Sequence, residues 1–159
     1  MKVLISLDGH DTPGLLTAAD GIISKELEWL LLHVLDTRPL EEAERALGGL
    51  LARGPRRAQA EQRMQRTVAL TQEGIRAEID AWLQEKGKAA EVIIASGRPE
   101  HEILRVAEER GARLIVLRAG HPGPGPREGP GPRPLAPVAR FVVDHALCHV
   151  RMLREQELA

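Results

Sequence analysis

Proline and glycine dominate the stretch from Gly120 to Pro137, which contains seven prolines and five glycines among eighteen residues. The apolar run RLIVL (113–117) before it is typical of a buried strand, and VARFVVDHA (138–146) after it is typical of a helix. A glycine-rich connection between a strand and a helix can bind phosphate, because its backbone N–H groups can approach the anion closely. Proline has no N–H to donate. The stretch therefore indicates either a phosphate-binding loop or one that has lost this chemistry.

Histidines and aspartates could form a second kind of site. His10, His33 and His121 are expected near the carboxyl ends of the predicted strands, with Asp11 and Asp36 nearby. Imidazole and carboxylate groups can hold a transition metal, but these residues show no local ligand spacing. We favour the alternative that His33 is a strand residue and the others are exposed loop histidines, and we expect no metal site.

No pairing of a nucleophile with a base suggests catalysis. The sequence contains three serines, Ser6, Ser24 and Ser96. None of them lies in the Gly-x-Ser-x-Gly turn of a hydrolase. Cys148 lies between His145 and His149, but the chain is predicted to change from helix to strand there, so the two histidines do not share a helical face. We interpret Cys148, His145 and His149 as packing residues. We therefore predict that the chain is not an enzyme, with slow ATP hydrolysis left open.

Composition excludes several classes of function. With 159 residues, 43% of them hydrophobic, the chain is expected to form one domain. A net charge of −1 and an aromatic content of 2% argue against nucleic acid as a partner. No apolar run approaches the ~20 residues of a membrane span, and the opening MKVLISLDG is too short for a signal peptide. The single Cys148 fits a reducing compartment, so we expect a cytoplasmic protein.

Short apolar runs alternate with helical stripes along the rest of the chain, which predicts βαβ units around a parallel sheet. Five strands are predicted, at 2–7, 29–35, 91–95, 113–117 and 149–153. The predicted fold class is therefore α/β, a Rossmann-like doubly wound parallel sheet. The residues after 154 are expected to be a frayed tail.

Capping residues and apolar stripes predict the helices. Pro13 suits the first turn of a helix that Asp11 or Thr12 caps. Pro99 opens another helix, which Gly111 ends. The long region between Leu40 and Gly87 is helical in composition, and its second part carries an apolar stripe at helical spacing that includes Met64 and Val68. Its first part, Leu40 to Arg57, could either pack on the sheet or cover the cleft. Ligands of such sheets bind beyond the carboxyl ends of the strands, so the loops beginning at residues 8, 36, 96 and 118 are the ones of interest.

These strands and loops together resemble the universal stress protein family. The resemblance depends on VLISLDG (3–9), LLHVLD (31–36), the spacing of Gly97, Pro99 and Ile103, AEERGARLIVL (107–117) and HALCHV (145–150). No single one of these motifs is specific, but they follow one another in the right order over nearly the whole chain. The exceptions are residues 40–60 and the Pro/Gly-rich loop.

The resemblance implies a flavodoxin-like sheet with strand order 3-2-1-4-5, in a universal stress protein-like domain at 1–154 that includes a Pro/Gly-rich loop at 119–137. It also implies a homodimer formed by antiparallel pairing of the last strand, which comprises His149, Val150, Arg151, Met152 and Leu153. An edge strand has unpaired backbone groups that can accept a second chain. Arg151 interrupts the apolar pattern, so this pairing is plausible but not required.

One branch of the family binds ATP or AMP through the pattern G-x-x-G, nine residues, then G-[S/T], placed after the fourth strand. In this chain Arg118 stands at the first glycine, and Gly120 and Gly123 reproduce the G-x-x-G spacing two residues late. Ala136 and Pro137 align with the G-[S/T] pair and offer no hydroxyl. We interpret the motif as degraded and expect no tightly bound cofactor.

The adenosine half of the family's site is better preserved. Asp8 matches the acid that ends the first strand, and Val34 matches the residue whose backbone meets adenine. Arg118 could supply positive charge to a phosphate, and Val138 follows the degraded pair. If ATP or AMP binds, the candidate residues are Asp8, Val34, Arg118, Gly120, Gly123 and Val138. Asp8 could equally be a cap for the loop that begins at Gly9.

The preferred hypothesis is a stress-associated regulatory or adaptor module with an unknown protein partner. The alternative is a nucleotide-dependent switch that binds ATP or AMP. The Pro/Gly-rich loop is either a variable surface connection or a docking segment for a partner, since preordered polyproline segments lose little entropy on binding.

Overall fold

Five parallel strands form the centre of the protein, whose computed structural model describes residues 1–24, 26–48, 55–120 and 135–158. The strands are β1 (Lys2–Leu7), β2 (Glu28–Asp36), β3 (Ala90–Gly97), β4 (Ala112–Arg118) and β5 (His149–Leu153). They lie in the order β3-β2-β1-β4-β5, which confirms the predicted fold class and strand order. Strands β2, β3 and β4 extend one or two residues beyond their predicted ends, because pairing with neighbouring strands continues past the apolar residues.

Six helices connect or follow the strands in the described ranges. They are α1 (Thr12–Ile22), α2 (Arg38–Gly48), α3 (Pro55–Lys86), α4 (Pro99–Arg110), α5 (Pro137–His145) and α6 (Glu155–Leu158). Asp11 caps α1, Pro99 begins α4, and Gly111 ends α4 in the left-handed conformation, as the sequence predicts. None of these helices is both long enough and apolar enough to cross a lipid bilayer.

The helices cover both faces of the sheet. Side chains from α1 and α3 bury one face, around Ile5, Leu31 and Val116. Side chains from α4 and α5 bury the other, around Leu4 and Ile115. Since consecutive strand residues point to opposite faces, neighbours such as Leu4 and Ile5 belong to different cores. Strands that are apolar on both faces are what a central parallel sheet requires.

Helix α3 packs on the sheet only through its second half. Ile79 is fully buried and Trp82 nearly so, and the Trp82 indole stacks on Trp29 with ring centroids 5.9 Å apart. Ile75 lies beside Gly9, just past the end of β1. The preceding part of the helix therefore extends beyond the sheet, and the predicted stripe residues Met64 and Val68 are only partly buried.

The carboxyl terminus differs from the predicted frayed tail. Residues Glu155–Leu158 form α6, and Leu158 packs against the core that α1 and α3 also cover. The Arg151 guanidinium forms an ion pair with Glu157, and the backbone N–H of Arg154 donates to the same carboxylate. These contacts connect α6 to the rest of the fold, although its sequence shows no longer helical stripe.

Candidate functional site

The strand order reverses between β1 and β4, and this switch point creates a crevice at the carboxyl ends of the two strands. From β1 the chain continues to β2 and β3 on one side of this point, whereas β4 and β5 lie on the other side. Ligands of open α/β sheets bind in such a crevice. Asp8 follows β1 and Arg118 ends β4, so the structure brings together at this point two residues that are 110 positions apart in the chain.

Arg118 joins the two sides of the crevice. Its Nε atom donates a hydrogen bond to Asp8 Oδ2 at 2.9 Å, and its Nη2 atom donates to the His10 carbonyl at 2.9 Å. The Arg118 side chain is only 8% exposed and that of Asp8 is 24% exposed. The guanidinium is therefore engaged by the β1–α1 loop and does not project into solvent.

The β1–α1 loop has a tightly defined backbone. The N–H of His10 donates to Asp8 Oδ1 at 3.0 Å. Asp11 adopts a left-handed conformation with a φ of 40°, and its carboxylate accepts the Gly14 N–H at 3.2 Å. Such backbone positions are costly for residues other than glycine. The loop thus places the Asp8 carboxylate and the His10 carbonyl at the crevice at some cost in local strain.

His33 and Val34 lie where β2 passes this loop. His33 is buried, and its Nδ1 atom donates to the Leu7 carbonyl at 2.9 Å, which makes it a strand residue that supports the end of β1. Leu7 is paired with His33, so the next positions along the two strands are Asp8 and Val34. The Val34 side chain is buried in the core beneath α4 and α5.

The amino terminus of α5 closes the base of the Pro/Gly-rich loop. Ala136 is the N-cap residue and makes no side-chain capping hydrogen bond, and Pro137 occupies the first turn. The Ala136 N–H donates to the Ala119 carbonyl at 2.8 Å. Val138 is partly buried against the core, and Gly120 is partly buried beside the crevice. Gly123 lies outside the described residues, as does His121.

A second group of charged residues lies at the carboxyl ends of β2 and β3. Arg38 donates from Nε to Asp36 Oδ1 at 2.9 Å, and its Nη1 atom lies 3.5 Å from Glu100 Oε1. The hydrogen bond from Arg38 lowers the pKa of Asp36 below its ordinary value. This cluster was not predicted from the sequence, although the D-x-R spacing at the end of β2 and the acid after Pro99 were available signals.

At the opposite end of the sheet, α4 and the α5–β5 connection enclose a groove of about 830 Å³. It is lined in part by Glu108, His145, Cys148 and His149. Burial raises the pKa of the Cys148 thiol. Within the described ranges, no three His, Cys, Asp or Glu side chains are arranged to hold a metal ion.

The predicted dimer strand lies at the edge of the sheet. β5 pairs with β4 on one side and is the last strand in the observed order. Leu153 is buried, Val150 and Met152 are partly buried, and His149 and Arg151 are exposed. The Leu153 carbonyl accepts from Ala119 and so points toward β4. By the alternation of a strand, the N–H of Met152 points away from β4.

Residues 1–154 match the model of the universal stress protein family. The chain belongs to this family. The match covers all five strands of this universal stress protein, the crevice between β1 and β4, and the edge strand β5. No curated protein matches the chain significantly in sequence.

Solved structures of low sequence identity share the fold of this universal stress protein. The protein UspA from Lactobacillus plantarum is 21% identical with a TM-score of 0.53, over 97% of each chain. A universal stress protein family protein from Arabidopsis thaliana with AMP bound is 18% identical with a TM-score of 0.58, over 97% of this chain and 91% of that one. A universal stress protein in complex with cAMP is 14% identical with a TM-score of 0.54, over 96% of this chain and 95% of that one.

Proposed function

We propose that this chain is a regulatory or adaptor module of the stress response that acts through protein contacts and does not bind ATP tightly. It works in the cytoplasm, as a homodimer, and is not an enzyme. Membership of the universal stress protein family supports the stress-related role. The observation that carries the proposal is the chemistry at the amino terminus of α5.

A phosphate at a helix amino terminus is held by free backbone N–H groups and by nearby hydroxyls. In this chain the Ala136 N–H already donates to Ala119, and Pro137 has no N–H. Neither residue has a hydroxyl. Ala136 and Pro137 therefore provide neither a free N–H nor a hydroxyl for a phosphate, which is why we interpret the phosphate motif as degraded.

The homodimer is proposed to form through β5. An edge strand presents backbone donors and acceptors that a second copy can satisfy, and the N–H of Met152 points outward. Substitution Met152→Pro removes that donor, and proline is tolerated at sheet edges. We expect sedimentation of the wild type to give a dimer at micromolar concentration and Met152→Pro to give a folded monomer. Met152→Leu, which keeps the N–H, is the control, and a monomeric wild type would refute the dimer.

The alternative is a switch that binds ATP or AMP, and two observations favour it over other functions. Related structures hold AMP or cAMP. Asp8 and Val34 also directly follow Leu7 and His33, which are paired in β1 and β2 of this chain. An adenine nucleotide held mainly through its nucleoside would use these groups.

Calorimetric titration with ATP and Mg²⁺ separates the two proposals, after denatured protein has been checked for carried-over nucleotide. We expect no measurable heat and no bound nucleotide. A dissociation constant in the micromolar range would refute the adaptor proposal and establish the switch. The double substitution Ala136→Gly with Pro137→Ser restores an amide and a hydroxyl, and it should create or strengthen ATP binding if the nucleoside half is intact.

A further inference from the structure

Arg151 lies at the middle of the edge strand β5 and forms an ion pair with Glu157 of α6. The side chains of Arg151 and Glu157 are 51% and 36% exposed. The same carboxylate accepts the backbone N–H of Arg154 at 2.8 Å. An ion pair this exposed adds little to the stability of a single chain. It does place an acid beside the positive charge at the centre of the outer edge of the sheet.

The backbone of β5 determines which residues face each other when the strand pairs with a second copy of itself. The Leu153 carbonyl accepts from Ala119, on the side of β4. Backbone groups alternate in direction along a strand, so those of Val150 and Met152 point away from β4. An antiparallel register that uses both outward residues of each copy places Val150 opposite Met152 of the second copy. These partly buried apolar side chains then form cross-strand pairs, which stabilise a sheet.

The same register places Arg151 directly opposite Arg151 of the second copy. The Cα atoms of such a non-hydrogen-bonded pair lie about 4.5 Å apart, and like charges in this position destabilise the pairing of two strands. A shift toward the carboxyl end requires the N–H of Arg154, which already donates to Glu157. A shift toward the amino end requires Cys148, which precedes β5. Self-pairing of β5 therefore brings two guanidinium groups together.

We infer that Glu157 is a specificity-determining residue for the self-pairing of β5, because it neutralises Arg151 where the two copies meet. Each copy supplies its own carboxylate, so the charges at the centre of the interface balance. Leu158 packs against the core and holds α6 beside the strand. The role of Glu157 rests on the homodimer of the proposed function and adds the condition for its formation. The partner that this edge fits is a second copy of the chain with its own α6 in place.

The test is the dissociation constant of the dimer, measured on the full chain by sedimentation velocity. Glu157→Gln removes the negative charge beside Arg151 and should weaken the dimer about fivefold or more. Glu155→Gln is the matched control, since it makes the same change of charge at another exposed residue of α6. The control should leave the dissociation constant unchanged.

A double substitution separates neutralisation from a structural effect on α6. Arg151→Gln combined with Glu157→Gln removes both charges, so its dimer should be at least as tight as that of the wild type. Equal dissociation constants for the wild type and Glu157→Gln would overturn the inference and leave the homodimer standing. A double variant that pairs as weakly as Glu157→Gln would do the same. A monomeric wild type would refute the homodimer, and with it this role of Glu157.

Discussion

The backbone N–H of Ala136 donates a hydrogen bond to the carbonyl of Ala119, with 2.8 Å between nitrogen and oxygen. The two residues are far apart in sequence, yet they lie side by side where β4 ends and α5 begins. The residues that flank the Pro/Gly-rich loop are therefore in direct contact. This contact makes the base of the Pro/Gly-rich loop part of the folded core, whatever the loop itself does.

Shortening the loop should leave the fold intact. Replacing the fourteen residues 121–134 by Gly-Ser-Gly-Ser should change the free energy of unfolding by about 1 kcal/mol or less, because loop-closure entropy varies slowly with length. Urea denaturation followed by circular dichroism measures this. Ala136→Pro tests the contact at the base of the loop. The φ of −60° at Ala136 suits proline, so the substitution removes only the N–H and should lower the free energy of unfolding by about 1 kcal/mol. A large loss of stability on shortening would contradict the prediction.

The two halves of α3 should respond differently to truncation of a large apolar side chain. Ile79 is fully buried, whereas Leu70 on the same helix is 61% exposed. Ile79→Ala should destabilise the protein by about 2–5 kcal/mol through the lost contacts and the cavity that remains. Leu70→Ala should change stability by about 0.5 kcal/mol or less. Urea midpoints provide the comparison, and equal losses would show that the first half of α3 is also packed.

Replacing Gly111 or Gly74 by alanine should change the stability of the folded protein in opposite directions. Gly111 ends α4 at a φ of 66°, and no atom of the described residues lies within 4 Å of the position an added Cβ would take. Gly111→Ala should therefore cost about 1 kcal/mol through backbone strain alone. Gly74 lies inside α3 with equally open surroundings, and Gly74→Ala should stabilise by about 0.5–1 kcal/mol. Thermal unfolding of both variants tests the signs, and a stabilising Gly111→Ala would contradict the left-handed cap.

Stability should depend on pH through Asp36. The hydrogen bond from Arg38 lowers the pKa of Asp36 below its ordinary 3.8, so the folded state keeps this carboxylate ionised to lower pH than the unfolded chain does. The resulting stabilisation is fully present above the unfolded pKa and is lost as pH falls through the folded pKa. Carboxyl carbon shifts in an NMR titration should show the Asp36 pKa rising in Arg38→Gln. An unchanged titration would mean that the pair does not form in solution.

The Cys148 thiol should be slow to react at mildly alkaline pH. Burial raises its pKa, so a smaller fraction is thiolate, and the thiolate is the reactive form. Cys148 is the only cysteine, so the reaction with Ellman's reagent reports this site alone. We expect a lower rate for the folded protein than for the same protein in urea at pH about 8, with the difference shrinking as pH rises. Equal rates across that range would contradict burial of the thiol.

Much of the architecture could be predicted because it depends on local signals. The apolar runs that became β1 and β5 have the predicted bounds, and Pro99 and Gly111 begin and end α4 as expected. The terminal helix α6 was not predicted, since four residues contain too little periodicity to indicate a helix. Likewise, the stripe on α3 predicted burial for Met64 and Val68, but a stripe cannot show where the sheet beneath a helix ends.

The residue types at the crevice follow from the sequence alone. An acid ends the first strand, an arginine stands where a phosphate loop would have glycine, and an alanine–proline pair begins the last connecting helix. Only the tertiary structure decided that the arginine is engaged with the acid. Arg118 and Asp8 meet because β1 and β4 are neighbours in space, while 110 positions separate the two residues along the chain. Long-range pairing of this kind depends on the sheet as a whole, since a side chain in isolation has no preferred partner at such a distance.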